Sequence, residues 1–322
     1  MEKLKVVITD YAYQNLDAEK EEISKVNAEV FDYQCKTEDE VIAVAKNCDA
    51  LIVQFCPITR KVINNLEHCR LIVRYAIGVD NIDIDAATEK GIYVANVPDY
   101  SIDEVSTHAV MLILAMNRKL NQTVSMVRGG RWNYSLLKPM YRASNACLGL
   151  DGFGAIPKMV AGKMKNFGMK IISYDPYVTK EQMQQCGVRK VDFEELVETS
   201  DYLSVHCPLT EQTRATINAD VFRKMKNTAA LINTARGSIV DEKALIEAIR
   251  KKEIGGAAID VLETEPIAMD NPLLHFDNVI VTPHIAWYTE ESIHALQQKV
   301  GEEVARVLSG NAPKNLVNKS LR

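Results

Sequence analysis

The stretch LGLDGFGAIPKMV, residues 148–160, passes from a short apolar run through a glycine-rich turn into a helical pattern. A strand, a turn containing Gly152 and Gly154, and a helix form the usual start of a dinucleotide-binding unit. The first glycine permits the tight turn, the second lets the backbone approach a pyrophosphate, and the helix supplies unpaired N–H groups. The stretch therefore predicts a nucleotide-binding turn.

Two residues of this turn depart from the pattern. Pro157 stands where a third glycine would allow close helix–strand contact, although proline is tolerated in the first turn of a helix. Asp151 puts a carboxylate at the end of a buried strand, where it must find partners or shift its pKa. If it is charged, it repels a pyrophosphate. We expect nucleotide binding that is weakened rather than lost.

An acidic residue follows the turn at the expected distance, about 20 positions later. Asp175 ends the apolar run MKIISYD, where its carboxylate can accept hydrogen bonds from the adenosine ribose. It would also repel a 2′-phosphate, and no arginine follows it. The sequence therefore favours NAD over NADP.

Short apolar runs alternate with amphipathic stretches on both sides of the turn, as in parallel α/β sheets. From residue 147 onward the predicted strands are CLGLDG, MKIISYD, YLSVHCP, AALINTA, GAAID and NVIVT. In the first hundred residues they are KVVITD, ALIVQF, LIVRYA and IYVANV. The fold class is therefore α/β with two Rossmann-like domains, a doubly wound nucleotide-binding domain and a smaller flavodoxin-like substrate domain.

Two long helical patterns set the predicted domain boundaries. One runs from about Ser101 to Val127 and is interpreted as a connector, and the other runs from Glu290 towards Leu308. Because the tail after this second helix is too short to form a domain, we expect it to pack on the first one. The predicted substrate domain is discontinuous, 1–100 plus 291–322, and the predicted nucleotide domain is 101–290.

Composition narrows the possible partners. The chain has 322 residues, 47% of them hydrophobic and 25% charged, with a net charge of −5, which disfavours nucleic acid. No apolar run approaches the roughly 20 residues that span a bilayer, and the amino terminus MEKLKVVITD lacks the apolar region of a signal peptide. Seven widely spaced cysteines suit a reducing compartment, so the expected location is cytoplasmic. No metal site is expected, because the neighbouring residues of His68–Cys69 and of His206–Cys207 point to opposite faces of a strand.

Three later motifs place ionisable residues just beyond predicted strands, where open α/β sheets bind ligands. They are INTARGSIVDEKAL at 232–245, AAIDVLETEP at 257–266 and VTPHIAWYTEES at 281–292. Arg236, Glu265 and His284 are thereby predicted to converge on one cleft.

Together with four further motifs, these three resemble the D-isomer-specific 2-hydroxyacid dehydrogenase family. The further motifs are RYAIGVDNIDIDAA at 74–87, NVPDYSIDEVSTHA at 96–109, YDPYV at 174–178 and VHCPLT at 205–210. The resemblance covers almost the whole chain in the family's order. The length is close to the catalytic core of the phosphoglycerate dehydrogenase branch, whereas HIAWYTEES is more similar to the C-terminal-binding-protein branch, which includes transcriptional corepressors.

The resemblance implies an NAD-dependent enzyme, usually a homodimer formed through its nucleotide domain, that reduces small 2-keto acids or oxidises D-2-hydroxy acids. His284 has the imidazole needed to protonate the alkoxide, Glu265 would orient it, and Arg236 would bind the substrate carboxylate. The other substrate contacts implied are Ile77, Gly78 and Val79. Trp287, three positions after His284, is a candidate wall of the substrate pocket, with packing in the core as the alternative. The cofactor contacts implied are Val97, Ser101, Gly152, Gly154, Ala155, Ile156, Asp175, Cys207, Pro208, Thr234, Ala235, Arg236, Asp260 and His284, with Asp260 at the nicotinamide carboxamide.

Two alternatives stay open at this point. One is an NAD(H)-sensing interaction protein of the C-terminal-binding-protein type, in which catalysis is secondary. The other is a copy with weakened cofactor binding, for which Asp151, Pro157, Ala143 and Asn145 are the evidence. His108, on the connecting helix, is interpreted as interfacial rather than catalytic.

Overall fold

The computed structural model describes residues 3–322, which form two compact units. One unit is the chain up to Ser101 together with Tyr288–Arg322, and the other is Ile102–Trp287. The strands are β1 Leu4–Ile8, β2 Ala28–Asp32, β3 Ala50–Val53, β4 Leu71–Arg74, β5 Tyr93–Ala95, β6 Cys147–Asp151, β7 Lys170–Tyr174, β8 Arg189–Lys190, β9 Tyr202–Val205, β10 Ala230–Asn233, β11 Gly256–Ile259 and β12 Val279–Val281. The helices are α1 Asp17–Ile23, α2 Glu38–Ala45, α3 Arg60–Asn64, α4 Ile84–Glu89, α5 Ile102–Asn117, α6 Leu120–Arg128, α7 Ala155–Lys165, α8 Lys180–Gln185, α9 Phe193–Thr199, α10 Ala219–Lys224, α11 Glu242–Arg250 and α12 Glu290–Leu308.

The first unit contains a five-stranded parallel sheet in the order β2-β1-β3-β4-β5. This is the flavodoxin-like order. The carboxy-terminal helix α12 packs Leu296, Val300 and Val304 into the same core as Val6 and Ile8 of β1. The helix α12 is therefore part of this unit's core.

The second unit contains a seven-stranded parallel sheet in the order β12-β11-β10-β9-β6-β7-β8. From β6 the chain winds outward through β7 and β8, then returns to the other side of β6 and winds outward again. The strand order reverses between β6 and β9, and ligands of doubly wound sheets bind at the carboxyl ends of the strands at such a point. The predicted α/β class with two parallel sheets is confirmed.

The single connecting helix predicted from Ser101 to Val127 is wrong, because the structure has two helices there. The first helix, α5, ends at Asn117, and Lys119, the residue before α6, adopts a left-handed conformation with φ of 49°. Asn117 donates to the Tyr202 hydroxyl at 3.0 Å, and Asn121 donates to the carbonyl of Val279 at 3.1 Å. Side-chain hydrogen bonds on both sides of Lys119 therefore stabilise the bend between α5 and α6, which no glycine or proline in this part of the sequence indicates.

Three general properties can be described for residues 3–322. No helix of this part of the chain combines the length and the apolarity that a bilayer crossing requires. No group of three or more His, Cys, Asp or Glu residues is arranged there to hold a metal ion. All seven cysteines are free thiols.

Candidate active site

Glu265 and His284 meet at the carboxyl edge of the second sheet. Glu265 lies in the loop after β11 and His284 in the loop after β12, and their Oε2 and Nδ1 atoms are 2.7 Å apart. The other carboxylate oxygen accepts a hydrogen bond from the Leu262 N–H at 2.9 Å. Burial acts to raise the pKa of Glu265, but the His284 and Leu262 hydrogen bonds and the charge of Arg236 outweigh it, so the pKa is lowered. Glu265 is therefore a carboxylate at neutral pH, and Nε2 is the ring atom of His284 left to face a ligand.

Arg236 follows β10 and stands beside this pair. Its guanidinium donates to the Ala235 carbonyl at 2.7 Å, and its own carbonyl accepts from the Asn233 amide at 2.9 Å. The next residue, Gly237, packs directly on the loop that leads to Glu265, because a Cβ there would overlap the Leu262 carbonyl. The absence of a side chain at Gly237 is thus what allows the loops of Arg236 and Glu265 to approach each other.

Gly237→Ala is expected to displace the Leu262–Glu265 loop and to cost about 1–3 kcal/mol of stability, as overpacking does. Gly162→Ala on α7 is the matched control, because a Cβ at that position meets nothing within 4 Å. Chemical unfolding of both variants measures the difference. Equal unfolding midpoints for the two would show that the loops are not held by this contact.

Asp260, at the end of β11, anchors the loop that carries His284. Its side chain is buried, and its Oδ1 accepts from the Thr282 hydroxyl at 2.5 Å and from the Ile285 N–H at 3.0 Å. Oδ2 accepts from the Ala286 N–H at 2.9 Å. A carboxylate has about four acceptor positions, so most of those on Asp260 are used within the protein, where they fix the loop of His284.

The glycine-rich turn has the shape of an anion cradle. Gly152 adopts φ of +102°, and a Cβ there would lie 2.9 Å from the Cys207 nitrogen, so only glycine fits. A Cβ on Gly154 would meet nothing within 4 Å, which leaves open space on its outer side. α7 begins at Ala155, so the N–H groups of Ala155 and Ile156 have no acceptor in the preceding turn.

Pro157 is buried in the first turn of α7. The intrahelical ladder begins one residue later, where the Lys158 N–H reaches the Gly154 carbonyl at 3.2 Å. Proline therefore removes an N–H that the helix itself does not use. The weakened nucleotide binding expected from Pro157 stays a prediction.

Asp151 is the departure from the glycine-turn pattern that is less favourable for nucleotide binding. Its carboxylate is buried at the end of β6, where Oδ2 accepts a hydrogen bond from the Cys207 thiol with an S–O distance of 3.4 Å. Burial raises the pKa of Asp151 to about 6. The Cys207 hydrogen bond acts to lower this pKa, and the negative charge of Asp175 acts to raise it further. A group of this kind carries a negative charge beside the glycine turn at neutral pH.

Asp175 sits beyond β7 and holds the turn from the other side. Its Oδ2 accepts from the Phe153 N–H at 2.8 Å, and its Oδ1 accepts from the Tyr177 N–H at 2.8 Å. Each oxygen keeps a further acceptor position for a ribose hydroxyl. The same carboxylate is unfavourable for a 2′-phosphate.

Two buried hydroxyls among the implied cofactor contacts have no partner within residues 3–322. They are Oγ of Ser101, in the first unit, and Oγ1 of Thr234, after β10. A buried hydroxyl without a hydrogen bond costs free energy unless a ligand or water supplies one. Together with the cradle at Gly152 and Gly154, the Thr234 hydroxyl fits a bound dinucleotide.

The remaining implied contacts fall into two groups. Ile77, Gly78 and Val79 lie in the loop after β4 of the first unit, and the Val97 N–H holds that loop at the Ala76 carbonyl, 3.0 Å away. In the second unit, Trp287 donates from Nε1 to the His284 carbonyl at 2.9 Å. Ala235, Cys207 and Pro208 follow their strands at the carboxyl edge of the second sheet.

Comparisons with known proteins agree with this architecture. The family described as "D-isomer specific 2-hydroxyacid dehydrogenase, NAD binding domain" matches residues 110–286. A D-3-phosphoglycerate dehydrogenase of Methanocaldococcus jannaschii is 39% identical over 317 residues, which are 98% of this chain and 59% of that protein. The chain thus spans less than two thirds of this relative.

Two further relatives match over most of their own length. A glyoxylate reductase of Korarchaeum cryptofilum is 38% identical over 285 residues, covering 87% of this chain and 86% of that protein. The crystal structure of a D-lactate dehydrogenase from Aquifex aeolicus, complexed with NAD and lactic acid, has a TM-score of 0.86 at 28% identity, covering 97% of this chain and 99% of the other. The resemblance carried by the sequence motifs is confirmed, and the chain belongs to the D-isomer specific 2-hydroxyacid dehydrogenase family.

Proposed function

We propose that the protein is an NAD-dependent oxidoreductase that interconverts a small 2-keto acid and the corresponding D-2-hydroxy acid. The observation that carries the proposal is the 2.7 Å hydrogen bond between Glu265 and His284, with Arg236 on the adjacent loop. An oriented imidazole beside a guanidinium is the arrangement that reduction of a keto acid requires, because one group supplies a proton and the other binds the carboxylate.

His284 is the proposed acid and base. In the reducing direction the keto oxygen becomes an alkoxide as hydride arrives at the carbon, and Nε2 of His284 delivers the proton to it. Glu265 holds Nδ1, which fixes the ring orientation and stabilises the imidazolium. In the oxidising direction the same Nε2 removes the hydroxyl proton.

Arg236 is the proposed substrate-binding group. Its planar fork matches a carboxylate in a bidentate contact, and its charge also polarises the keto oxygen. When bound, NAD supplies the hydride carrier, and we propose that Gly152, Gly154 and Asp175 hold its adenosine and pyrophosphate half. Ile77, Gly78 and Val79 are proposed to bind the substrate carboxylate through backbone N–H groups.

The substrate class is tested by NADH oxidation across a panel of 2-keto acids of two to six carbons. We expect turnover with at least one member. For members of three or more carbons the expected product is a D-2-hydroxy acid, identified by chiral chromatography, and for glyoxylate it is the achiral 2-hydroxy acid. Glyoxylate belongs in the panel because the Korarchaeum relative is named a glyoxylate reductase. Absence of turnover with every member, in a protein that binds NADH, would contradict the proposal. The NAD(H)-sensing alternative gains no support from the three relatives described above, which are all named as dehydrogenases or reductases.

We further propose that the protein is a homodimer. The segment 120–141 exposes large apolar side chains: Leu120, Val124, Val127, Trp132, Tyr134, Leu136 and Tyr141. Trp132 is 89% exposed and Tyr134 is 75% exposed. Large apolar side chains that are exposed together along one segment support an interaction site there.

The double substitution Trp132→Asp, Tyr134→Asp is expected to convert the dimer into a monomer, because charges are not tolerated in an apolar interface. Light scattering coupled to gel filtration measures the mass. Met269→Asp is the control, since Met269 is equally exposed but lies outside the segment. A wild-type mass equal to one chain would contradict the dimer.

The proposed location is the cytoplasm. Most of the seven free thiols are buried, including Cys35, Cys48, Cys56, Cys69 and Cys147. Widely spaced thiols without pairing suit a reducing compartment. The proposed partners are a small-molecule acid and a second copy of the chain, without nucleic acid or membrane.

A further inference from the structure

His108 lies on α5 with its ring directed at the loop beyond β12. Its side chain is 15% exposed, and Nε2 lies 3.1 Å from the Thr282 hydroxyl oxygen and 3.6 Å from Oδ1 of Asp260. The buried core residues that follow it on α5 include Ala109, Leu112 and Ile113. Nothing in the proposed reaction uses this mostly buried imidazole.

The direction of the hydrogen bonds follows from counting protons. The Asp260 carboxylate only accepts, so the single hydroxyl proton of Thr282 is donated to Oδ1 at 2.5 Å. The Thr282 oxygen must then accept from His108, which requires a proton on Nε2. Burial lowers the pKa of His108, and this effect outweighs the Asp260 charge, which acts to raise it. The ring is therefore neutral at neutral pH and carries its one N–H on Nε2.

Asp260 connects this pair to the proposed acid and base. Its carboxylate accepts from the N–H groups of Ile285 at 3.0 Å and Ala286 at 2.9 Å, and its carbonyl accepts from the His284 N–H at 2.8 Å. His284 itself has φ of 51°, in the left-handed region that residues with a Cβ rarely adopt. Such a conformation persists only where the surroundings fix it, and here those hydrogen bonds do so.

We propose that His108 is a positioning residue for His284, acting through Thr282 and Asp260. This inference rests on the proposed function of His284. Without the Nε2 donor, the half-buried Thr282 oxygen loses the hydrogen bond that it accepts, and the Thr282–Asp260 pair loses its fixed orientation. The loop 284–286 then loosens, and His284 spends less time in the reactive geometry.

The kinetic test compares His108→Leu, which removes the donor, with His108→Gln, whose amide can donate from a similar position. We expect His108→Leu to lower kcat about 10- to 100-fold, as small misplacements of a reacting group do, with a much smaller change in KM. His108→Gln is expected to recover most of kcat. His275→Leu, at an exposed histidine of the same unit, is the control. A His108→Leu enzyme with wild-type kcat, or a His108→Gln enzyme as impaired as His108→Leu, would overturn the proposal.

A second measurement does not depend on turnover. Amide hydrogen exchange at Ile285 and Ala286 reports whether Asp260 still holds their N–H groups, and it is expected to be slow in the wild type and faster in His108→Leu. Thr282→Val, which removes the intermediate hydroxyl, is expected to accelerate the same amides and serves if His108→Leu fails to fold. If the wild type turns over no keto acid, the proposed function fails while the exchange data still decide the positioning role. Unchanged exchange in both variants refutes that role.

Discussion

His284→Ala is expected to lower the turnover of 2-keto acids by about 100- to 10,000-fold, the range typical for loss of a general acid. The alkoxide formed by hydride addition then has no positioned proton donor, because the nearby Glu265 is a carboxylate whose pKa is lowered. Steady-state NADH oxidation at saturating keto acid measures the loss. NADH binding, followed by fluorescence, is expected to change far less than turnover, since the glycine turn and Asp175 stay intact.

His275→Ala is the matched control for this variant, because His275 is exposed in the same unit and lies outside the proposed site. Glu265→Gln provides an intermediate case. It keeps a hydrogen bond to Nδ1 but cannot stabilise an imidazolium by charge, so its turnover is expected to fall between those of the wild type and His284→Ala. Wild-type turnover in His284→Ala would remove His284 from the reaction.

Asp151→Asn is expected to tighten NADH binding at pH 8 by about tenfold. Two unit charges about 10 Å apart, at an effective dielectric of about 20, repel each other by about 1–2 kcal/mol, which corresponds to about tenfold in Kd. Asp151 is the negative charge concerned, because it is buried beside the turn that is proposed to hold the pyrophosphate. Fluorescence titration with NADH measures both dissociation constants.

The pH dependence of NADH affinity distinguishes an effect of the Asp151 charge from an effect of the side chain's shape. Since the pKa of Asp151 is raised to about 6, the wild-type carboxyl is neutral well below that pH and charged above it. NADH affinity of the wild type is therefore expected to fall as pH rises through 6, whereas Asp151→Asn shows no such step. Equal pH profiles for the two proteins would show that the Asp151 charge does not reach the cofactor.

The same substitution is expected to stabilise the protein at high pH. A folded-state pKa of about 6 against the ordinary 3.8 means that folding favours the protonated form. The stability that this proton contributes is present below pH 3.8 and is lost as pH rises through 6. Because a tenfold change in proton affinity corresponds to about 1.4 kcal/mol, we expect Asp151→Asn to gain about 2–3 kcal/mol at pH 8.

Unfolding midpoints at pH 5 and pH 8 test this expectation. Asp270→Asn, at an exposed carboxylate, is the control and is expected to change neither midpoint. A gain for Asp151→Asn that is as large at pH 5 as at pH 8 would show that packing rather than charge causes it. The NADH titrations of the wild type and Asp151→Asn described above decide whether Asp151 weakens cofactor binding.

The fold was predictable where strands are runs of apolar residues, including the edge strands β5 and β12, and not where an edge strand is polar. β2 and β8 were missed because edge strands tolerate polar residues: β2 reads AEVFD with mostly exposed side chains, and β8 contains only Arg189 and Lys190. The runs that form the ten other strands were all identified, since burial on both faces demands continuous apolar residues. α12 occupies the predicted range, with Thr289 and Ser292 forming its capping box.

The candidate site was predictable where the ends of parallel strands place residues together. It was not predictable where a side chain from a helix distant in sequence contacts the site. The positions of Arg236, Glu265 and His284 after β10, β11 and β12 follow from parallel topology alone. The contact of His108 with Thr282 depends on how α5 packs across the sheet, and the Cys207 thiol that bonds Asp151 comes from a neighbouring strand. Neither pairing leaves a local sequence signal.

Isotope transfer tests the central claim most directly. NADH carrying deuterium at the transferring position of C4 is incubated with the preferred 2-keto acid, and the product is analysed by mass spectrometry. The account predicts a D-2-hydroxy acid with one deuterium at carbon 2 from the wild type, and little or none from His284→Ala under the same conditions. Failure to find labelled hydroxy acid from any keto acid, with NADH bound to the protein, would contradict it.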